Sequence, residues 1–217
     1  MKFMIACLLL GVTSLAVATA AHAQFGRPWR HTPMLVVISS ADSDPRLSLV
    51  DEAVAFWNNT LEEIGSGFRL PTAERLVKPV PEDALQALSR SIVGGSRAVE
   101  VPPALRDPPR DLTIMLADSA FVSFAGPFDA TSKRVVGIRG SHLPPMNLPN
   151  VARNVIAHEL GHAIGLGHND DPAKVMCGRP ASCRPDLFRS DQPRLFPLTD
   201  DEKRQLLRMY PADWKPR

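Results

Sequence analysis

The sequence predicts an α/β domain, and three observations predict it. Short β-rich apolar runs stand at MLVVIS (34–39), DLTIML (111–116) and RVVGIRG (134–140). Two longer segments, opening near Ser48 and near Asn150, carry apolar residues at helical spacing. Most of the 21 prolines fall outside these runs, with clusters at 102–109, 144–149 and 172–197, so long ordered loops should join the elements.

The elements follow in chain order. Lys2, the uncharged run FMIACLLLGVTSLAVATA and the small-x-small triplet Ala21-His22-Ala23 make residues 1–23 a secretory signal peptide, with Gln24 the first mature residue. The competing reading, an uncleaved membrane anchor, does not need that cleavage triplet. Beyond the leader no segment is apolar enough to span a bilayer, so the mature protein, 24–217, is expected in a periplasm or outside the cell, as a monomer off the membrane. MLVVIS should form the first strand. A helix follows from Ser48, a plausible cap, with Val50, Ala53, Val54, Trp57, Leu61 and Ile64 on one face and Gly65 ending the pattern. Residues 66–110 are harder to place, although PEDALQALSRSIV fits a helix. DLTIML alternates like a half-buried strand, and Gly137 suggests that RVVGIRG lies at a sheet edge. The helix from Asn150, which follows Pro149 and can cap it, carries Val151, Val155, His158 and His162 on one stripe. Ile156, Leu160, Ala163 and Ile164 lie on another. Thr199-x-x-Glu202 is a capping box that opens a last helix through Leu206, Leu207 and Met209.

Composition narrows the function. At 44% hydrophobic, 217 residues suffice for one ordinary core. Charge is nearly balanced, 25 Lys+Arg against 23 Asp+Glu, without the basic excess of a nucleic-acid binder. Export leaves Cys177 and Cys183 as an even pair in an oxidising compartment. They read as a disulfide closing CGRPASC, since the competing reading, a second metal site, finds no neighbouring His or Cys.

The chemistry concentrates in AHELGHAIGLGH (157–168), which holds three of the chain's six histidines. On a helix His158 and His162, four apart, can reach one metal ion together. His168 cannot join them from the same helix, so the chain must break and turn back. Gly165 stands where that break is needed, and Gly167 adds freedom before His168. Three neutral imidazoles on Zn²⁺ leave a fourth tetrahedral position for water, the catalytic rather than the closed structural arrangement. Glu159, between the first two ligands, can reach that water as a general base without binding the metal. The five fixed positions of H-E-x-x-H-x-x-G-x-x-H arise by chance in on the order of one chain in a hundred thousand at average composition.

This motif, continued as HELGHAIGLGHNDDPAKVM, resembles that of the metzincin zinc peptidases, whose signature ends in a Met-turn. Met176 lies eight residues after His168 with Pro172 between, a spacing similar to the matrixin branch. The specific match covers about 150 to 178. The tail LTDDEKRQLLRMYP and the segment 34–64 resemble the family's closing helix and its opening strand and helix. The resemblance implies a metzincin-like zincin domain: a twisted, mostly parallel sheet with an antiparallel edge strand, packed on two long helices plus a C-terminal helix. It implies one catalytic zinc, Met176 in a tight turn beneath it, and hydrolysis of internal peptide bonds in protein or peptide substrates. RVVGIRG would be the edge strand that pairs with an extended substrate through Val135, Val136, Gly137 and Ile138. The loop after Met176, pinned by Cys177 and Cys183, would wall the pocket for the residue after the scissile bond.

Departures from the family are specific. No cysteine between leader and active-site helix offers a latency thiolate, and about ten residues before the first strand leave no room for a folded pro-domain. His142 alone does not make a structural zinc site. Calcium is unsupported, because Asp170, Asp171, Asp200 and Asp201 read as surface and cap residues. Gly178 stands where other metzincin branches carry a tyrosine, so no tyrosine ligand is expected. Residues 66–110 look longer than in compact matrixins and read as an insertion. Two other functions compete: an exported zinc-binding protein with a non-catalytic recognition cleft, and a hydrolase of a non-protein amide. A recognition cleft has no need of Glu159 as a base, so that residue favours an enzyme.

Overall fold

The computed structural model describes residues 27–94, 99–126, 133–178, 190 and 192–216. The leader reading, 1–23, therefore lies outside the described residues. Five strands form one sheet in the order β2-β1-β3-β5-β4. They are β1 (Leu35–Ser39), β2 (Glu74–Val77), β3 (Leu112–Leu116), β4 (Phe124–Gly126) and β5 (Arg134–Ile138). The first four neighbours in that order run parallel, and only β4 pairs antiparallel, with β5.

The apolar runs are interior strands. β1, β3 and β5 are buried at every position, as strands covered on both faces must be. Leu35 and Val37 of β1, Leu112, Ile114 and Leu116 of β3, and Val136 and Ile138 of β5 point into one core. Val36, Ile38, Met115 and Val135 point into a second. The strand within DLTIML, Leu112–Leu116, is thus fully buried rather than half-buried, because a helix from 66–110 covers the face expected to meet solvent.

On the first face lie α1 (Arg46–Glu63) and α3 (Pro149–Ala163). The α1 stripe Val50, Ala53, Val54, Trp57 and Leu61 is buried as its spacing predicts, and Trp57 Nε1 donates to Ala157 O of α3 at 2.9 Å. The helix begins two residues before Ser48, whose hydroxyl donates to Pro45 O. Asp44 takes the capping role instead, accepting from the Arg46 N–H at 2.9 Å. The Arg46 guanidinium, 1% exposed, pairs with the Asp44 carboxylate. It also donates to Ala117 O at 2.6 Å and Arg139 O at 2.8 Å, which joins the ends of β3 and β5.

The 66–110 segment supplies β2, α2 (Glu82–Val93) and a 3-10 turn, Pro103–Leu105. PEDALQALSRSIV is a helix, as expected, and its Leu85 and Leu88 fill the second core with Leu105 and Phe124. The sheet therefore carries helices on both faces.

RVVGI is not an edge strand. β5 pairs with β3 on one side and with β4 on the other, in the registers Ala125↔Val136 and Phe124↔Gly137. Val135, Val136 and Gly137 consequently have no free backbone edge for a substrate, and Ile138 pairs with Leu116 of β3. Gly137 answers to packing: a Cβ there would lie 2.6 Å from Cε1 of the Phe124 ring. The edge belongs to β4, three residues without the β-branched signature of a strand.

α3 starts at Pro149, which suits the first helical position. Asn150 is not its cap. Buried at the second position, it donates through Nδ2 to Ser190 O at 2.5 Å and Gln192 O at 2.7 Å and accepts from Arg194 N at 3.0 Å, binding the C-terminal segment to the helix. α4 (Asp200–Met209) opens on the expected capping box, Glu202 N to Thr199 Oγ1 at 3.1 Å and Thr199 N to Glu202 Oε2 at 2.7 Å. Among the described residues no helix is long and apolar enough to cross a membrane.

Candidate metal centre

α3 is buried on nearly all sides, so what it presents is fixed by packing. His158 and His162 stand one turn apart near its C-terminus. The helix then ends in a Schellman motif: Gly165 (φ 107°) donates to His162 O at 2.9 Å and Leu166 N to Gly161 O at 3.0 Å. Gly165 occupies the left-handed position that its place in the sequence predicts. The chain reverses there and returns His168 to the other two imidazoles.

The three Nε2 atoms converge. His158 and His162 are 3.0 Å apart, His158 and His168 3.1 Å, and His162 and His168 2.9 Å. Two of the rings have a defined tautomer. His158 Nδ1 lies 2.7 Å from Val175 O and His162 Nδ1 2.8 Å from Leu166 O. A carbonyl only accepts, so each Nδ1 carries the proton and each Nε2 is left with a lone pair. Lone pairs aimed at one point repel unless a cation lies between them. Burial first, and then the charges of His158 and His168, hold His162 well below its ordinary pKa, and burial also lowers His168. Both are neutral at physiological pH, the form that ligates metal. Three imidazoles on a tetrahedral Zn²⁺ place their nitrogens about 3.3 Å apart. The donor set and its spacing fit such an ion, and these three residues form a group able to hold one.

Glu159, next to His158 in the chain, is buried at 6% exposure. Burial pushes its carboxyl up to about 8 against the opposing effect of a backbone hydrogen bond from Ala125, in the middle of β4. A carboxylate so placed accepts a proton readily near neutral pH.

No protein-family profile matches the chain, and no curated protein does. Among solved structures it is similar to an archaemetzincin from Methanopyrus kandleri at 22% identity and a TM-score of 0.46, over 81% of this chain and 93% of that one. A likeness at that distance carries no argument, and the reading of this site rests on the histidine geometry.

Met176 is fully buried in the turn Lys174–Cys177, with its sulfur against the helix at Gly161: a Cβ there would lie 2.3 Å from Sδ. The chain just after His168 is tied to the same turn. Asn169 N donates to Met176 O at 2.9 Å, Gly178 N to Asn169 O at 2.9 Å, and Asn169 Nδ2 to Glu202 Oε1 at 2.5 Å. The capping box of α4 thus also holds the residue after the third ligand. Cys177, the last residue of this turn, is buried, while Cys183 and the loop 179–189 lie outside the described residues, and with them the expected bridge and pocket wall.

Sequence reasoning missed Gly161, Gly178 and Ala125. Gly161 had a signal, since a glycine inside a strong helix costs about 1 kcal/mol against alanine and asks for a packing reason. Gly178 shows in the sequence only the absence of a tyrosine, yet a Cβ there would lie 2.1 Å from His168 Cγ. Ala125 acts through its backbone, which no side-chain pattern reveals.

Proposed function

We propose that this chain is a secreted or periplasmic zinc endopeptidase of the metzincin type, in its matrixin-like branch, cleaving internal bonds of extended peptides. The observation that carries the reading is the convergence of the three imidazole Nε2 atoms within 3.1 Å of one another, two of them on a helix that also carries the buried Glu159. His158, His162 and His168 would hold one zinc ion through Nε2, with Val175 O and Leu166 O orienting two of the rings as outer partners. Zinc bound there supplies a Lewis acid that acidifies water and polarises the scissile carbonyl. Glu159 takes a proton from the attacking water and returns it to the leaving amine, which departs neutral while the carboxylate is regenerated. Burial raises the proton affinity of this carboxyl. Met176 supports the ligand-bearing turn without ligating. A substrate strand would align along β4, the edge of the sheet next to the site.

The test is proteolysis of a mixed unfolded-protein substrate by purified 24–217, by its chelated form with zinc added back, and by Glu159→Ala. Cleavage that chelation abolishes, zinc restores and Glu159→Ala lacks while still binding zinc supports the proposal. Binding of one zinc without cleavage above that of Glu159→Ala would instead favour a recognition cleft or a non-protein substrate.

A further inference from the structure

The last carbonyls of α3 point to a set of residues outside the histidine motif. Leu160 O, Gly161 O and His162 O are met by the backbone of the helix end, through Ile164, Leu166 and Gly165. Ala163 O and Ile164 O have passed beyond that motif, in residues that are fully buried, where an unmet carbonyl is costly. Three side chains from distant parts of the sequence meet them. Trp29 Nε1 donates to Ala163 O at 3.0 Å, and Arg134 Nη1 donates to the same oxygen. Tyr210 OH donates to Ile164 O at 2.8 Å and accepts from Trp29 N at 3.1 Å. The Arg134 guanidinium lies 4.0 Å from the centroid of the Trp29 ring and donates through Nη2 to Arg27 O.

We infer that Arg134, Trp29 and Tyr210 are positioning residues for the metal centre, a clamp that sets the turn carrying the chain from His162 to His168. The argument is geometric and rests on the zinc site proposed above. Between the second and third ligands there are five residues, 163–167, and the clamp grips the first two by their carbonyls. The Leu166 carbonyl that orients His162 lies two residues further on. A rotation of the Ala163 or Ile164 peptide would move both the orienting carbonyl of His162 and the approach of His168. The charge suits its position, because a cation at a helix C-terminus faces the negative end of the helix dipole. Burial brings Arg134 down only to about 10, so the guanidinium remains charged at neutral pH. The aromatic face of Trp29 keeps that guanidinium in place while its indole N–H shares the carbonyl. Residues 27–29, before the first strand, are therefore part of the site's support.

Zinc affinity of the full mature chain, read by chelator competition and by the visible spectrum of the Co²⁺-loaded protein, tests this. Arg134→Met weakens zinc binding about 10–100-fold, the usual effect of losing an outer-sphere support. Trp29→Phe, which keeps an aromatic face for the guanidinium and loses only the indole donor, and Tyr210→Phe shift affinity in the same direction, and both alter the Co²⁺ bands. Leu88→Ala, which empties a buried position in α2 on the other side of the sheet, lowers stability and leaves zinc affinity and the Co²⁺ spectrum unchanged. Wild-type affinity in Trp29→Phe and Tyr210→Phe, or an equal loss in Leu88→Ala, overturns the inference while leaving the zinc site standing. Failure of the wild type to bind zinc at all overturns both.

Discussion

The His168 ring lies against the backbone of Gly178 so closely that a methyl group on that Cα would sit 2.1 Å from Cγ and 2.3 Å from Cδ2. Both sides of this contact are fixed, since Gly178 N donates to Asn169 O and Asn169 N to Met176 O, each at 2.9 Å. Alanine at 178 must therefore displace the imidazole. We expect Gly178→Ala to lower zinc affinity about 10–100-fold, as displacing a ligand's support does, with little change in the unfolding midpoint of the chelated protein. Zinc titration and thermal unfolding with and without chelator check both halves.

Gly161→Ala sets two effects against each other. Alanine favours an interior helical position by about 1 kcal/mol over glycine. Its Cβ, however, would lie 2.3 Å from Met176 Sδ and 2.7 Å from Cζ2 of Trp57. Both side chains are fully buried, and Trp57 is anchored by its bond to Ala157 O. Overpacking of about 1–3 kcal/mol exceeds the helix gain. The variant should unfold at lower urea concentration even without metal, and an unchanged or raised midpoint would show that Met176 yields freely.

How much of this was legible in the sequence depended on where each signal resides. The histidine spacing, the Gly165 break and the Thr199–Glu202 box are side-chain or φ requirements at fixed offsets, and each appears where its spacing placed it. PEDALQALSRSIV fits a helix on sequence alone, but nothing local says that its Leu85 and Leu88 cover the sheet face opposite α1. DLTIML on its own therefore looks half-buried. Gly137 suggests an edge because glycine weakens a strand, whereas the ring of Phe124, thirteen residues away, is what excludes a side chain. Asn150 and Ser48 have cap chemistry, and tertiary partners or the preceding Asp44 overrode it.

Arg46 is the buried charge on which the ends of β3 and β5 depend. Arg46→Met keeps volume near the core but leaves Ala117 O and Arg139 O without this donor and removes the partner of the Asp44 carboxylate. Removing one member of a buried pair costs about 3–5 kcal/mol. Urea unfolding should show a loss in that range, with the zinc affinity of the folded fraction retained. A loss below about 1 kcal/mol, the scale of an exposed pair, would contradict the role given to Arg46.

The metal-free protein should lose stability as pH rises, and Glu159 supplies the reason. Its folded pKa is raised from 4.5 to about 8, so the folded state holds a proton that the unfolded state has released. The contribution is fully present below pH 4.5 and is lost as pH rises through about 8, by up to about 1.4 kcal/mol per pH unit. His162 and His168, whose folded values are lowered, act in the opposite sense. Their stabilisation is complete above the unfolded histidine value of 6.5 and is lost on acidification below it. Between pH 6.5 and 8 the Glu159 effect therefore dominates these three groups, and chelated wild type should lose about 2 kcal/mol across that window. Glu159→Gln cannot ionise, so its chelated form should hold nearly constant stability there. Parallel pH dependence in wild type and variant would show that Glu159 is not the group retaining the proton.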